Sequence, residues 1–293
     1  MIIIKLQGGL GNQMFQFALA SIIAKKNKSL LKIDTNSFDS NIEGITPREF
    51  ELSIFDNSYK KALFTEIENF QKSSFVNKLK KKLGLNYTKV FRESNLRFND
   101  KVLKLKSPIY LEGYFQSYKY FLGEEGYVEN IFSFPKGEIE GKNIKFLSDI
   151  ENNNSTGVHI RRGDYLNDKE TQEFHGNCGK EYYSKAIDFF EKQNEDVTFV
   201  FFSDDIEWVK NEFNYLDSKK IFIVGNTGEN NWIDLFLMSS CSHQIIANSS
   251  FSWWSAWLNK NKNKKVIAPK NWFANEKANK DANDLIPSSW IRF

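Results

Sequence analysis

Strand-like and helical patterns alternate regularly over the second half of the chain. The strand-like segments are 156–161, 197–203, 220–224, 243–247 and 264–268, and apolar residues recur at helical spacing over 180–193, 205–214, 231–240 and 251–259. Strands that alternate with helices are typical of a parallel sheet with helices on both faces. We therefore predict a doubly wound α/β domain in this half.

The first residues begin in the same way. The β-branched run from Ile2 to Leu6 predicts a buried strand, residues 14–23 carry apolar side chains at helical spacing, and residues 30–34 predict a second strand. Residues 36–107 carry little pattern that bears on chemistry. This opening predicts a βαβ unit, which is the building block of a Rossmann-like domain.

A stretch rich in proline, glycine and asparagine, residues 123–154, separates the two patterned regions and predicts a linker. We therefore expect two domains, 1–150 and 151–293, with a cleft between them. The alternation of strands and helices is more regular in the second domain than in the first.

A glycine-rich loop joins the first predicted strand to its helix, with the sequence Gln7-Gly8-Gly9-Leu10-Gly11-Asn12-Gln13. Backbone N–H groups at such a place can face an anion. The loop does not match the dinucleotide fingerprint, because Met14 stands where the third glycine is required, and it lacks the Gly-Lys-Ser/Thr of a P-loop. Taken alone, it is better explained as a tight turn that needs glycine.

The strand at 156–161 leads into His159-Ile160-Arg161-Arg162-Gly163-Asp164-Tyr165. Ligands of open α/β sheets bind at the carboxyl ends of the strands. Two adjacent guanidinium groups suit a diphosphate, because each offers permanently charged, bidentate hydrogen bonds. A solvated strand end, or an ion pair between arginine and Asp164, explains the same residues about equally well.

Three later strand ends also carry polar residues. Ser203-Asp204-Asp205 could hold a metal, but carboxylates there also cap the next helix, which we favour. Gly225-Asn226 could contact a nucleobase edge through the asparagine amide. Asn248-Ser249-Ser250-Phe251-Ser252 begins a helix, where hydroxyl and free N–H groups form an anion site or an ordinary N-cap. The tryptophans of that helix are predicted to lie in the core.

Composition limits the choice of function. The chain has 293 residues, 41% of them hydrophobic, and a net charge of +3, which does not indicate a nucleic-acid partner. Two cysteines form no disulfide framework, and the three histidines show no spacing typical of zinc. No signal peptide or membrane-spanning run is evident. We expect a soluble cytoplasmic protein, attached to the inner face of a membrane at most peripherally, through basic runs at 78–82 and 260–265.

Four motifs together resemble the bacterial α1,2-fucosyltransferases of glycosyltransferase family 11. They are Gln7-Gly8-Gly9-Leu10-Gly11-Asn12-Gln13-Met14-Phe15-Gln16, Gly113-Tyr114-Phe115-Gln116-Ser117, His159 to Tyr165, and Asn248-Ser249-Ser250-Phe251-Ser252-Trp253-Trp254. They stand in the family's order and span nearly the whole chain. The joint pattern is far more specific than any one motif.

The resemblance implies a GT-B fold, with two Rossmann-like, doubly wound domains facing a central cleft. It implies inverting transfer of L-fucose from GDP-fucose to the 2-hydroxyl of a terminal β-galactose, in an oligosaccharide or a surface glycan such as lipopolysaccharide or capsule. Residues 1–150 are then the expected acceptor side, and 151–293 the domain that binds GDP-fucose. No cofactor and no metal is implied, because GDP-fucose is itself the donor substrate.

The resemblance also assigns residues. Arg161 is expected at the β-phosphate of GDP, and Asn12 near the departing phosphate or fucose. The complete catalytic set is Arg161, Asp164, Asn12 and His159, and the donor-binding set is Gly9, Gly11, Arg162, Asn226, Ser249, Ser250 and Phe251. The loop at Gly225 and Asn226 is the expected guanine contact.

The residue that removes the acceptor proton stays open. Asp164 is the nearest carboxylate of the motif, yet neighbouring guanidinium groups should lower its pKa and weaken it as a base. An arginine-orienting role for Asp164 is equally consistent with the motif, and His175 and Glu173 are alternative bases. Two other functions compete with the fucosyltransferase: a different GDP-sugar transferase on the GT-B fold, and a nucleotide- or glycan-binding module without catalysis. The acceptor glycan and the oligomeric state are not determined by these motifs.

Overall fold

The computed structural model describes residues 1–39, 48–55, 59–72, 82–83, 89–162, 173–174, 176–193 and 196–293. The chain divides into two compact units. The first comprises Met1–Ser133 and Asp281–Leu285, and the second comprises Phe134–Lys280 and Ile286–Phe293. The chain therefore crosses between units after Ser133, earlier than the boundary predicted after residue 150, and a short segment near its end returns to the first unit.

The first unit contains a parallel sheet with helices. Its strands are β1 (Ile2–Lys5), β2 (Leu31–Asp34), β3 (Lys60–Lys61), β4 (Lys89–Arg92) and β5 (Ile109–Glu112), in the spatial order β3-β2-β1-β5-β4. Its helices are α1 (Leu10–Asn27), α2 (Phe64–Gln71) and α3 (Glu125–Ile131). The ladders between these strands are parallel, as predicted.

The opening βαβ unit follows from its apolar residues. Ile2, Ile3 and Ile4 are completely buried, as expected for a central strand that helices cover on both faces. Helix α1 begins at Leu10, four residues before Met14, where the predicted helical pattern begins. It is buried almost throughout as far as Ala24. Its C-cap is Lys28, which adopts the left-handed conformation, and Lys25 and Lys26 lie in the last turn, where positive charge complements the helix dipole.

The second unit repeats the design. Its strands are β6 (Asn154–Ile160), β7 (Val197–Ser203), β8 (Lys219–Phe222), β9 (His243–Ile245), β10 (Val266–Ala268) and β11 (Ile291–Arg292), in the order β11-β10-β9-β6-β7-β8. Its helices are α4 (Lys142–Glu151), α5 (Lys180–Glu191), α6 (Ile206–Glu212), α7 (Asn231–Ser240), α8 (Ser250–Leu258) and α9 (Glu276–Asp281). Its ladders are also parallel. Each strand and helix predicted here is present, with ends that differ by up to two residues.

The predicted linker at 123–154 is largely helical, and this explains the earlier boundary. Helix α3 belongs to the first unit and α4 to the second. Asn143 of α4 forms a pair of hydrogen bonds with Asn226, at 3.0 and 3.1 Å, which ties α4 to the second unit. Gly141 and Asn152 mark the ends of α4, whereas α3 lies between Glu124 and Phe132.

The core of the second unit is rich in aromatic residues. Val158 and Ile160 of β6 pack in one cluster with Phe199 and Phe201 of β7, whereas His159 between them points to the opposite face. Trp253 and Trp254 of α8 are completely buried, which confirms their predicted place in the core. Among the described helices, none is long and apolar enough to cross a membrane.

Candidate functional site

The strand order of the second unit brings two of the sequence motifs together. From β6 the chain proceeds to β7 and β8 on one side, and then returns to place β9 and β10 on the other side of β6. The connections after β6 and β9 therefore diverge, and such a switch point leaves a crevice at the carboxyl ends of the strands. The residues after β6 include Arg161, and those after β9 lead from Asn248 to the start of α8.

His159 marks the contact between these motifs. Its side chain is 7% exposed, and its ring lies 5.9 Å from the ring of Phe251. Its Nδ1 has no hydrogen-bond partner in the described part of the chain. Burial, helped by the charge of Arg161, lowers the pKa of His159 to about 3. The imidazole is therefore neutral and a weak base, so it can serve as a hydrogen-bond partner but not as a proton acceptor near neutral pH.

The two arginines have different surroundings. The guanidinium of Arg162 lies 3.7 Å from the ring centre of Trp208 and 3.4 Å from Asp205 Oδ2. Its backbone N–H donates to Asp204 Oδ1 at 2.8 Å. Arg162 is thus held against the end of β7 by stacking and charge. Arg161 is partly exposed and close enough to His159 to lower that pKa.

Asp205 has the capping role that we favoured, whereas Asp204 accepts the backbone N–H of Arg162. Asp205 is the N-cap of α6 and accepts the N–H of Trp208 at 3.2 Å. In the described residues no group of three histidine, cysteine, aspartate or glutamate side chains is arranged to hold a metal ion. Cys178 and Cys241 are both free.

Helix α8 begins with the predicted cap. Ser249 is its N-cap, and its Oγ accepts the N–H of Phe251 at 3.3 Å. Asn248 is buried, and its Nδ2 donates to the carbonyls of Gly176 and Trp272, so it anchors the turn before the helix. Ser250 and Phe251 are partly exposed at the first turn. The nine-residue helix directs its positive dipole end and its first N–H groups to the carboxyl edge of the sheet, where they favour an anion.

In the loop after β8, the side-chain amide of Asn226 is already hydrogen-bonded within the protein. The amide nitrogen of Asn226 donates to Asn143 Oδ1 at 3.1 Å and to Asp234 Oδ1 at 2.7 Å, and its oxygen accepts from Asn143 at 3.0 Å. Both amide protons are thus already used. Sequence reasoning missed Asp234, although Asn226 and the first turn of α7 are only eight residues apart. The side-chain amide of Asn226 holds this loop together, and the carboxylate of Asp234 is its charged member.

Burial raises the pKa of Asp234 to about 6, although its bond with Asn226 and the charge of Lys142 oppose the shift. An aspartate in an unfolded chain has a pKa of about 3.9. The folded state therefore binds the proton more tightly, so stability is greatest below about pH 4 and decreases as the pH rises to about 6. The difference between the folded and the unfolded pKa of Asp234 corresponds to on the order of 3 kcal/mol of stability.

The first unit has a switch point of its own. Strand β1 lies between β2 and β5, so the glycine-rich loop after β1 adjoins the Gly113–Ser117 turn after β5. Gln116 Nε2 donates to Asn12 Oδ1 at 2.7 Å and joins the two motifs. Gly8 has φ +79°, and a methyl group there would lie 2.5 Å from Asn12 Nδ2. The glycine is therefore required both by its backbone and by the position of Asn12.

The start of α1 is occupied from within the chain. The N–H of Leu10 donates to Glu51 Oε2 at 2.7 Å. Gln13 bonds the carbonyls of Gly8 and Glu49 and accepts the N–H of Glu51. The carboxylate of Glu51 thus binds at the place where an anion was expected near Gly9 and Gly11. Sequence reasoning missed Glu51 because it lies far along the chain. Asn12 Nδ2, in contrast, has no acceptor among the residues that the structure describes.

A second carboxylate that the sequence did not indicate shapes the turn after β5. Glu93 accepts the N–H of Tyr114 at 2.7 Å and that of Phe115 at 3.1 Å. Burial raises the pKa of Glu93, although these two bonds oppose the shift. Phe115 adopts φ +53°, which is rare for a residue with a side chain, and the carboxylate holds it there. Glu93 thereby supports the turn that presents Gln116 to Asn12.

Several predicted residues have no structural description. Asp164 and His175 lie outside the described residues, as do Gly163 and Tyr165. Glu173 is described and exposed. The choice among the three proposed bases therefore stays a prediction.

Comparison with known proteins identifies the family. The family model described as glycosyl transferase family 11 matches residues 1–292. The chain belongs to glycosyltransferase family 11. This confirms the resemblance drawn from the four motifs, and it makes the chain a glycosyltransferase.

Two relatives from Escherichia coli match this family 11 chain along almost its whole length. An alpha-1,2-colitosyltransferase is 34% identical and covers 99% of this chain and 98% of its own. The O-antigen biosynthesis glycosyltransferase WbnK is 33% identical, with 98% of each chain covered. The galactoside alpha-(1,2)-fucosyltransferase 1 of Homo sapiens is 33% identical over 35% of this chain and 28% of its own.

A solved structure supports the fold assigned to this family 11 member. The crystal structure of POFUT1 in complex with GDP matches with a TM-score of 0.52 at 10% identity, and covers 91% of this chain and 97% of that chain. At this identity the likeness concerns the fold alone. Together with the two parallel sheets, it confirms the predicted GT-B fold with two Rossmann-like units.

Proposed function

We propose that the protein transfers L-fucose from GDP-fucose to the 2-hydroxyl of a terminal β-galactose, with inversion at the anomeric carbon. The names of its relatives support the linkage, the sugar acceptor and a role in a bacterial surface glycan. The observation that carries the proposal is the switch point of the second unit, where Arg161 follows β6 and the start of α8 follows β9. Positive charge and the N–H groups of the first turn of α8 suit the diphosphate of a nucleotide sugar.

The proposed chemistry is stabilisation of the leaving group. When the bond between fucose and GDP breaks, negative charge grows on the phosphate oxygens and positive charge grows on the sugar ring. Arg161, the hydroxyl of Ser250 and the N–H groups at the start of α8 are fixed donors that can stabilise this charge without reorganisation. Neutral His159 adds a hydrogen bond in this crevice, and Arg162 holds the end of β7 in place. Asn12 contributes its amide donor to the departing phosphate or fucose.

For the guanine base we propose the loop after β8. The side-chain amide of Asn226 is used within the loop, so base recognition falls to the carboxylate of Asp234 and to the backbone at Gly225 and Asn226. A carboxylate can accept two hydrogen bonds from one edge of guanine, which carries adjacent N–H groups. Asp234→Asn, which keeps the size of the side chain, should therefore weaken GDP binding by about tenfold or more.

For the acceptor proton we propose Asp164, on its place in the motif alone. A general base shows as the acidic limb of the pH profile of kcat, and Asp164→Asn should remove that limb along with most of the activity. Glu173→Gln serves as the comparison, since this exposed residue is the described alternative. If Glu173→Gln lost most of its kcat and Asp164→Asn stayed close to wild type, the general base would be Glu173 and not Asp164.

A second candidate donor is favoured by the 34% identity to a colitosyltransferase. Colitose is fucose without its 3-hydroxyl, so the two donors differ by one polar group. A site built to hydrogen-bond that hydroxyl discriminates strongly against a donor that lacks it, whereas an apolar pocket discriminates weakly. Competition between GDP-fucose and GDP-colitose for one acceptor decides which donor the protein prefers.

The experiment that tests the main proposal is a GDP-release assay with GDP-fucose and lactose in the presence of EDTA, with NMR of the product. A fucose joined α1,2 to galactose is the expected product. Hydrolysis of GDP-fucose without transfer would support GDP-fucose as the donor and exclude lactose as the acceptor. Failure to release GDP, together with failure to bind it, would refute the proposed function.

A further inference from the structure

A cavity in the first unit lies beside the turn that Glu93 supports. Its volume is about 240 Å³, and its lining consists of Tyr120 and eight residues between Phe91 and Val102, among them Glu93, Arg97 and Phe98. The cavity follows the carboxyl end of β4, where the chain passes from Phe91 into an exposed polar segment. Neither the sequence motifs nor the family assignment accounts for it.

The walls of the cavity combine apolar and polar groups. Phe91, Phe98 and Tyr120 supply aromatic surface, with the rings of Phe98 and Tyr120 4.9 Å apart. Glu93 and Asn99 supply polar groups. Tyr120 is itself fixed, since its hydroxyl accepts the N–H of Asn99 at 3.2 Å. Aromatic faces with a few convergent polar groups are typical of small-molecule sites.

The polar groups have capacity left for a ligand. The carboxylate of Glu93 bonds the N–H groups of Tyr114 and Phe115, which leaves part of its roughly four acceptor positions unused. The amide nitrogen of Asn99 has no acceptor within the described ranges, while its oxygen accepts the N–H of Lys101. A neighbouring acceptor and donor suit adjacent hydroxyl groups.

Charge and size define the class of ligand. The half-buried carboxylate of Glu93 repels phosphate, and the guanidinium of Arg97, which also lines the cavity, is already paired with Asp281 at 2.8 Å. The nucleotide part of a donor therefore does not suit this cavity. Sites for drug-sized ligands measure about 300–1,000 Å³, and this one is smaller. A single neutral ring with several hydroxyls and an apolar face fits both limits, and a pyranose has this chemistry.

We propose that the cavity beside Glu93, Phe98 and Tyr120 is a subsite for one pyranose ring of the acceptor glycan. The identification of that ring as part of an acceptor rests on the proposed function, whereas pyranose binding does not. In this arrangement Phe98 packs on the apolar face of the ring, and Glu93 and Asn99 bond its hydroxyls.

Two variants test the subsite in different ways. Phe98→Ala removes an aromatic wall. Ser94→Trp keeps the aromatic walls and adds bulk at Ser94, an exposed residue of the cavity lining whose side chain has, among the described residues, one hydrogen bond, from the Asn95 amide at 3.5 Å. Phe64→Ala is the matched control, because Phe64 is 67% exposed at the start of α2 in the same unit and does not line the cavity.

Steady-state kinetics should separate acceptor from donor. Both cavity variants should raise KM for lactose by about tenfold or more, while KM for GDP-fucose and hydrolysis without acceptor stay within about twofold. Phe64→Ala should resemble the wild type. A lactose KM within about twofold of wild type in Ser94→Trp, with the fold intact by circular dichroism, would overturn the proposal.

Direct binding separates failure of the subsite from failure of the proposed function. Saturation-transfer NMR with methyl β-galactoside should give signals from the wild type that Ser94→Trp abolishes and Phe64→Ala retains. This result would support the subsite even if no fucose transfer were found with any acceptor. Absence of saturation transfer from the wild-type protein to the galactoside would overturn the subsite, whatever the donor site does.

Discussion

Replacement of Gly8 by alanine tests whether the glycine-rich loop positions Asn12. Gly8 has φ +79°, and Gly123 in the same unit has φ +80°. A methyl group on Gly8 would lie 2.5 Å from Nδ2 and 3.0 Å from Cβ of Asn12, whereas one on Gly123 would have no atom within 4 Å. The two substitutions therefore share the same backbone strain and differ in the collision with Asn12.

The magnitudes follow from these distances. The left-handed conformation costs a residue with a side chain about 1–2 kcal/mol, and the loss of freedom in the unfolded chain offsets about 0.4–1 kcal/mol of this. Gly123→Ala should therefore destabilise by about 1 kcal/mol. Overpacking adds about 1–3 kcal/mol, so Gly8→Ala should be less stable than Gly123→Ala by that amount. A displacement of Asn12 by about 1 Å should also reduce kcat by up to about 10²-fold.

Urea denaturation measures the first difference, and GDP release with GDP-fucose and lactose measures the second. Gly123→Ala should retain wild-type activity. In a double-mutant cycle, Asn12→Ala should relieve most of the collision, so that Gly8→Ala costs less in its presence. If Gly8→Ala and Gly123→Ala proved equal in both stability and activity, the positioning of Asn12 by Gly8 would be refuted.

Three further predictions concern charge and metal dependence. Arg161→Ala should lower kcat/KM by about 10²–10⁴-fold, since it removes charge stabilisation of the leaving group, while the exposed Arg92→Ala should act like wild type; activity of Arg161→Ala within a few-fold of wild type would reject its role. Between about pH 4 and 6 the wild type should lose on the order of 3 kcal/mol of stability through Asp234, and Asp234→Asn should not show this loss. Urea midpoints at both pH values measure it, and an equal loss in the variant would exclude Asp234 as its source. Activity should persist in EDTA, and its loss and restoration by magnesium would contradict metal-independent transfer.

The elements of the second unit and their motifs were predictable from the sequence. Apolar runs at period two and at helical spacing indicate strands and helices directly, because side-chain direction follows from local geometry. The polar residues that follow β6, β7, β8 and β9 could thus be assigned to one edge of a parallel sheet. The core position of Trp253 and Trp254 and the cap at Asp205 were predictable for the same reason.

The predicted linker at 123–154 contains the crossing between the units after Ser133, but its helices were not anticipated, because glycine and asparagine are ambiguous. They occur between elements and equally at the ends of short helices, as Gly141 and Asn152 do at the two ends of α4. The hydrogen bonds between Asn143 and Asn226, which assign α4 to the second unit, join residues 83 positions apart. No local pattern contains that information.

Sequence alone therefore determined the family, the fold class and the motifs that carry the chemistry, since these depend on residue type and spacing along the chain. Tertiary structure alone decided how each polar group is used. The difference between Arg161 and Arg162 depends on Trp208, the start of α1 is occupied by Glu51, and Asn226 is engaged by Asn143. Hydrogen bonds and desolvation depend on which groups meet in space, and partners so distant in sequence meet only once the sheet order is set.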